Sequence, residues 1–273
     1  MKVFTKMIWS ILFASCFIVL SACSSDDDDD GGLGGDPVVS PSAVFTGGFP
    51  KSVAGMSMTY ADGLLTKIET RDGETVRFEY ASKAKSGKTY DLRMTIENEK
   101  YPEETTYLDM TIGANGFVKS CVQTYADDNS VDTWTFGYTS EGNLNYMKRS
   151  EGGNEIITVK YKDGDITEVT MKSDEDGEEM EVHIFYTSDD VQTAIENKGC
   201  LMFFDTTFSI DVDEMEYAYW AGLLGKATKH LPVKNVDVLD DYTDTFHWSL
   251  KNGYPESMTY QSGSYTEEYQ FSW

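Results

Sequence analysis

One phrase recurs along this chain and limits what it can fold into: an aromatic residue, a glycine turn, a strand-like run, a second turn, another run and a closing aromatic. It reads as YADGLLTKIETRDGETVRFEY (60–80), YTSEGNLNYMKRSEGGNEIITVKY (138–161), YKDGDITEVTMKSDEDGEEMEVHIFY (161–186) and WSLKNGYPESMTYQSGSYTEEYQFSW (248–273). A looser copy spans 112–138, and residues 81–112 hold a degenerate one. The paired turns are Asp62-Gly63 with Asp72-Gly73, Asp163-Gly164 with Asp176-Gly177, and Asn252-Gly253 with Ser262-Gly263. They recur about every 8 to 13 residues, the spacing of a meander of short strands. Asn-Gly and Asp-Gly suit tight hairpins because both central residues must take positive φ.

Within the runs the side chains alternate. Tyr90, Leu92, Met94 and Ile96 oppose Asp91, Arg93, Thr95 and Glu97; Met180, Val182, Ile184 and Tyr186 oppose Glu181, His183, Phe185 and Thr187. One face is apolar and the other polar, so the sheet has to fold over on itself as a sandwich or curl into a barrel. The expected fold class is all-β: a large curved antiparallel meander or barrel built from aromatic–glycine hairpin repeats.

One region departs from period 2. A short helix is expected over 189–199 and an apolar strand over 200–210. Met215, Tyr219, Gly222 and Leu223 then recur at helical spacing, with acids at the start, Lys226 and Lys229 at the end and Pro232 as a stop. This predicts an inserted amphipathic helix near 213–229 that plugs or caps the apolar face.

The N-terminus states an address. Lys2 and Lys6 precede the apolar run Met7–Val19, which is shorter than the roughly 20 residues of a spanning helix and fits a secretory signal. The next stretch, LSACSSDDDDDGG (20–32), resembles the lipobox of bacterial lipoproteins, which implies that Cys23 becomes the first mature residue and carries the acyl chains. Two or more chains hold a protein stably on a membrane. The run Asp26, Asp27, Asp28, Asp29 and Asp30 has nothing to bury and repels itself, so with GGLGGDP it forms a leash of ~25 Å root-mean-square reach. An acid tract directly after the lipidated cysteine also resembles the signal that sends lipoproteins of the Bacteroidetes to the outer face of the outer membrane. The expected organisation is a signal peptide over 1–22, a lipidated Asp/Gly-rich tether over 23–43 and a single β-rich domain over 44–273.

Loss of residues 1–22 removes two lysines and no acid, taking the formal charge from −25 to −27. Such a surface repels nucleic acid and anionic lipid, and neither is expected as a partner. Once Cys16 leaves with the signal and Cys23 is acylated, Cys121 and Cys200 remain. They read as separate small core residues, with a disulfide as the alternative.

YWAGLLGKATKHLP followed by FHWSLKNGYPESMTY resembles a family of uncharacterised lipoproteins of gut Bacteroidetes, a domain of unknown function described as having a porin-like fold. The aromatic–glycine repeat is also distantly similar to YD/Rhs repeats. The family resemblance covers most of 45–273 and implies a large antiparallel barrel or sheet, lipid-tethered outside the cell; it carries over no catalytic or binding residue. The terminal YQFSW resembles the last strand of outer-membrane barrels. Acid-rich faces such as DEDGEEME (174–181) would be costly against lipid, so YQFSW reads as the last repeat.

Catalytic motifs are missing: there is no GxSxG, HExxH, CxxC pair or phosphate-binding glycine loop. His183, His230 and His247 are scattered over a strand, a helix end and a strand. DEDGEE imitates a calcium loop with Lys172 at the preceding ligand position, and reads as a hairpin turn. No catalytic residue, cofactor or metal is expected. The functional expectation is a non-catalytic surface module binding a glycan or an envelope protein. The alternative is a glycan hydrolase using two carboxylates, one of them shielded enough to stay protonated.

Overall fold

The computed structural model describes residues 39–81, 88–175 and 177–273. The signal segment, Cys23, Asp26–Asp30 and the tether as far as residue 38 lie outside the described residues, as does Asp176.

The meander begins with β1 (Ser52–Val53), β2 (Met56–Ala61), β3 (Leu64–Glu69), β4 (Glu74–Tyr80), β5 (Leu92–Asn98) and β6 (Thr106–Ile112). It continues as β7 (Val118–Tyr125), β8 (Val131–Tyr138), β9 (Leu144–Arg149), β10 (Glu155–Lys162), β11 (Asp165–Ser173) and β12 (Glu179–Phe185). The chain then leaves the wall, forming on the way the small antiparallel pair β13 (Ile195–Glu196) and β14 (His230–Leu231). It returns as β15 (Lys234–Asp237), β16 (Tyr242–Lys251), β17 (Tyr254–Ser262) and β18 (Tyr265–Ser272). β15 pairs with β12, and β18 pairs with β1 through Ser52↔Ser272 and Val53↔Phe271, so sixteen wall strands among the described residues close into a barrel. YQFSW is thus more than the last repeat: its strand is the one that shuts the ring.

The turns show why the repeat is spelled as it is. Asp62-Gly63, Asp163-Gly164 and Asn252-Gly253 all have positive φ at both residues, as a two-residue hairpin of matching twist requires. The alternation resolves as expected: Leu92, Met94, Leu108, Met110, Val169 and Val182 are buried inside the ring. The outward positions pair across strands, Arg93 with Asp109 at 2.6 Å, Lys160 with Glu168 at 2.5 Å and Lys172 with Glu179 at 2.6 Å. Each such exposed pair contributes roughly 0.2–1 kcal/mol. A membrane-spanning barrel has an apolar exterior band and a polar lumen; this wall has the opposite polarity.

The lumen is filled by the chain itself. Phe204, Phe208, Met215, Tyr219 and Trp220, from the stretch between β13 and β14, are buried within the core, and Phe45 from the N-terminal segment stacks on Trp220 at 6.3 Å and meets Tyr219 edge-on at 5.6 Å. Each fully buried ring contributes roughly 1.5–3 kcal/mol. Pro41–Ala43, within the stretch read as tether, form a 3-10 turn with Pro41 buried.

The predicted plug is present, but its secondary structure differs from the sequence reading. Residues 189–199 hold turns and β13 instead of a helix. Leu201, Met202, Phe203 and Phe204 are buried in succession and lead into the short helix Phe204–Phe208, so 200–210 is not a strand. A segment wrapped by the wall on all sides needs no polar face, and the period that identifies a strand disappears. The helix near 213–229 shrinks to a 3-10 turn, Asp213–Met215, running into Glu216–Trp220. Gly222 ends it at φ +75°, and an added Cβ there would lie 2.6 Å from Pro41 Cα. His230, read as a helix end, stands in β14. Cys121 and Cys200 are both free and buried, and burial pushes the Cys121 thiol pKa up.

One side chain fastens plug to wall. Arg149, at the end of β9, bonds Glu155 Oε2 at 2.7 Å on β10, and reaches Asp211 Oδ2 at 2.9 Å and Asp213 Oδ2 at 2.5 Å on the plug, beside the Trp134 ring. The guanidinium is 8 % exposed, whereas Asp211 and Asp213 remain 49 % and 37 % exposed. Replacing Arg149 by Met should therefore lower unfolding free energy by about 2–3 kcal/mol in urea titration, below the roughly 3–5 kcal/mol of a fully buried pair. An unchanged midpoint would mean that packing and the other plug-to-wall hydrogen bonds, such as Gln123 to Glu214 and Val118 N–H to Leu223 O, hold the plug without Arg149.

Candidate functional site: two oppositely charged barrel mouths

In a closed antiparallel meander every second turn opens at the same end. One end gathers Asp62-Gly63, 139–143, Asp163-Gly164 and Asn252-Gly253; the other gathers 70–73, 126–130, 150–154 and 238–241. The plug presents a different charge at each.

At the first end lies a cleft of about 790 Å³, between the N-terminal segment at Thr46 and Gly47, the loop 196–200, the stretch 226–230 and Tyr254. Lys198, Lys226 and Lys229 line it, with Glu196 and His230. Wall lysines such as Lys67, Lys160, Lys172 and Lys251 each stand beside a carboxylate. Among the described residues none of the three cleft lysines forms an ion pair. Lys198 Nζ donates to Asn252 O at 3.3 Å and sits 4.3 Å from the centroid of the Tyr254 ring. His230 bonds Asp165 through its Nδ1 at 2.7 Å and its backbone N–H at 2.8 Å.

At the second end the plug turns its acids outward. Gln123 donates to Glu214 at 2.9 Å and Tyr217 donates to Glu74 at 3.1 Å. Desolvation, then repulsion from Asp211 and partly offset by Arg149, pushes the Asp213 pKa up to about 7. Desolvation and the neighbouring Asp205 push Glu216 up to about 8. Burial also raises Asp205, Glu151 and Asp244.

A third cluster stands on the outer wall, where ligand atoms of Glu168, Glu181 and His183 lie within 4.8 Å of one another. Lys160 already bonds Glu168, and His183 bonds Glu181 at 3.0 Å, so the trio extends the ladder of cross-strand charge pairs. Most aromatic side chains point into the core; the exposed Tyr107, Phe185, Tyr242 and Tyr265 are spread over different strands, and Tyr101 lies in the loop between β5 and β6.

Residues 89–262 match the family model described as a domain of unknown function (DUF4595) with porin-like fold. The chain belongs to this family. Among solved structures it is similar to a porin-like protein from Bacteroides uniformis, at 17 % identity, a TM-score of 0.59, and coverage of 80 % of this chain and 88 % of that one. It is also similar to a porin-like protein from Bacteroides vulgatus, at 13 % identity, a TM-score of 0.55, and coverage of 83 % and 99 %. No curated protein matches the chain. At these identities the likeness establishes the barrel fold, and the charge of the two mouths has to be read from this chain's own residues.

Of the site residues read from the sequence, Cys23 and Asp26–Asp30 fall outside the described residues. The cleft lysines were visible in the sequence with another meaning, Lys226 and Lys229 as the cationic end of a helix. Lys198 and Tyr254 carried no signal, because they come from loops that only the closed barrel brings together.

The raised carboxylates set a pH dependence. The folded pKa values of Asp213 and Glu216 lie above the ordinary 3.8 and 4.5, so between about pH 4 and 8 the folded chain binds more protons than the unfolded one and its stability falls as pH rises. Glu216→Gln should match the wild type in melting temperature near pH 4 and become increasingly the more stable of the two up to about pH 8, as read by scanning calorimetry. Parallel curves across that range would show that Glu216 is not shifted.

Proposed function

We propose that this protein is a non-catalytic binding module, tethered by an acylated Cys23 to the outer membrane and facing the cell exterior, that takes an extracellular glycan or an envelope partner in the lysine-lined cleft. The observation that carries the reading is the cleft itself: three lysines that form no ion pair among the described residues, Lys226 having Glu141 in its neighbourhood, in a chain of net charge −25, on a barrel whose lumen is filled by its own core. A filled lumen and a charged outer wall argue against conduction and against a lipid-embedded wall, which leaves the ends of the barrel as the working surfaces. The acid tract Asp26–Asp30 supports the outward address through its resemblance to export signals.

Protease shaving of intact cells tests the address. The wild type should be cleaved, and the variant with Asp26–Asp30 replaced by Ala should be protected while still fractionating with membranes through Cys23. Protection of both would put the protein in the periplasm and remove the extracellular reading.

A second reading, glycan cleavage by paired carboxylates, draws on the other mouth, where Glu216, pushed up to about 8, holds its proton near neutral pH as a general acid must, while Asp213 beside Arg149 supplies a carboxylate. It requires reducing ends to accumulate when the mature protein is incubated with polysaccharide, and Glu216→Gln to slow that release by about 10²-fold or more. No release from neutral or acidic polysaccharides would discard it.

A further inference from the structure

We propose that the cleft selects an acidic saccharide, one carrying carboxylate or sulfate groups, over a neutral one; the inference rests on the binding-module reading and names the ligand class of that site.

The first support is a local inversion of charge. The chain has 47 acids against 22 Lys and Arg, yet Lys198, Lys226 and Lys229 face the cleft with Glu196 as the carboxylate among its lining residues. Charges are screened beyond about 8 Å at physiological ionic strength, so a ligand inside the cleft responds to these four groups, together with Asp165 beside His230 and Glu141 near Lys226, more than to the acids on the distant wall.

Unused hydrogen-bonding capacity is the second support. An ammonium group has three donors, and Lys198 Nζ directs one to the Asn252 carbonyl. The oxygens of a carboxylate or a sulfate are the natural acceptors for the rest, and such charge-assisted bonds are about twice as strong as neutral ones.

Third, the frame that carries the lysines is fastened to the barrel rim. Lys226 N–H donates to Gly142 O at 2.9 Å and Lys229 N–H to Gly164 O at 3.0 Å. Asn197, 5 % exposed, donates its backbone N–H to Lys229 O at 2.9 Å and its side-chain amide to Thr228 O at 3.1 Å, tying the loop that bears Lys198 to the stretch that bears the other two. Ligand binding therefore has to order the side-chain tips and not the backbone, which keeps the entropic cost low.

Size and mixed polarity argue for a saccharide over a lone ion. About 790 Å³ lies in the upper part of the roughly 300–1,000 Å³ span of small-molecule sites. Glu196 accepts hydrogen bonds, and the exposed Thr46 both donates and accepts them, so the cleft offers partners for sugar hydroxyls beside partners for the acid.

The test is calorimetric titration of the full mature lipoprotein in detergent with trigalacturonic acid, a heparin-derived tetrasaccharide, maltotetraose and inorganic sulfate. At least one acidic saccharide should bind, more weakly as NaCl is raised. Lys226→Gln/Lys229→Gln should lose at least tenfold in affinity and each single variant a part of that, while Lys100→Gln, which removes one positive charge at the other end of the barrel as each single variant does in the cleft, should change nothing. Equal binding of maltotetraose, unaffected by the double variant, would overturn the acidic preference and leave the binding module standing. Inorganic sulfate binding as tightly as the saccharides would overturn the saccharide assignment. Equal losses in the Lys100 variant would show general attraction to the molecule instead of a site. Failure of every probe at millimolar concentration would overturn the inference and the glycan form of the module reading together.

Discussion

A ring of sixteen strands is wider than its own inward side chains can fill. Natural barrels of that size usually leave the space to water, which suits a polar lumen. Here the inward face is Leu, Met, Ile, Val and Phe, and water in contact with it would forfeit the burial that folds the chain. The excursion between β12 and β15 and the segment from Pro41 to Phe49 answer that constraint by bringing Phe45, Phe204, Phe208, Tyr219 and Trp220 into the ring.

Once a plug is required, other features have physical reasons. The excursion leaves the wall after Phe185 and rejoins it at Lys234, which pair side by side, so it has to cross the lumen and come back, and its polar residues collect where it reaches a mouth. Along the chain the acids of DVDEME come first and the lysines of GKATKH last. What looks like the charge pattern of one helix is the charge pattern of a traverse: the acids emerge beside Arg149 at one end, and the lysines beside Gly142 and Gly164 at the other. The short helices, broken at Gly222, let the segment turn inside the ring.

The same traverse gives the molecule its chemistry. Acids crowded into a half-dry mouth hold their protons more tightly, while lysines that form no ion pair among the described residues keep donors for an anionic guest. The porin-like outline of this chain therefore does not carry a porin's polarity: the charge is on the wall and at the mouths, and the lumen is a hydrophobic core.

The strands, their alternation and the Asp-Gly and Asn-Gly hairpins were legible in the sequence because each depends on neighbours two to ten residues away. The N-terminal address was likewise a contiguous string. That YQFSW shuts the ring was not legible, since Ser52 and Ser272 meet across almost the whole domain and nothing local distinguishes a closing strand from a final one. Nor was the form of the plug, because a segment enclosed by wall shows neither period 2 nor period 3.6. The lysine cleft was decided by tertiary structure alone: Lys198, the pair Lys226 and Lys229, and Tyr254 come from three separate places in the chain, and they become one electrostatic environment only after closure of the barrel has fixed where the plug comes out.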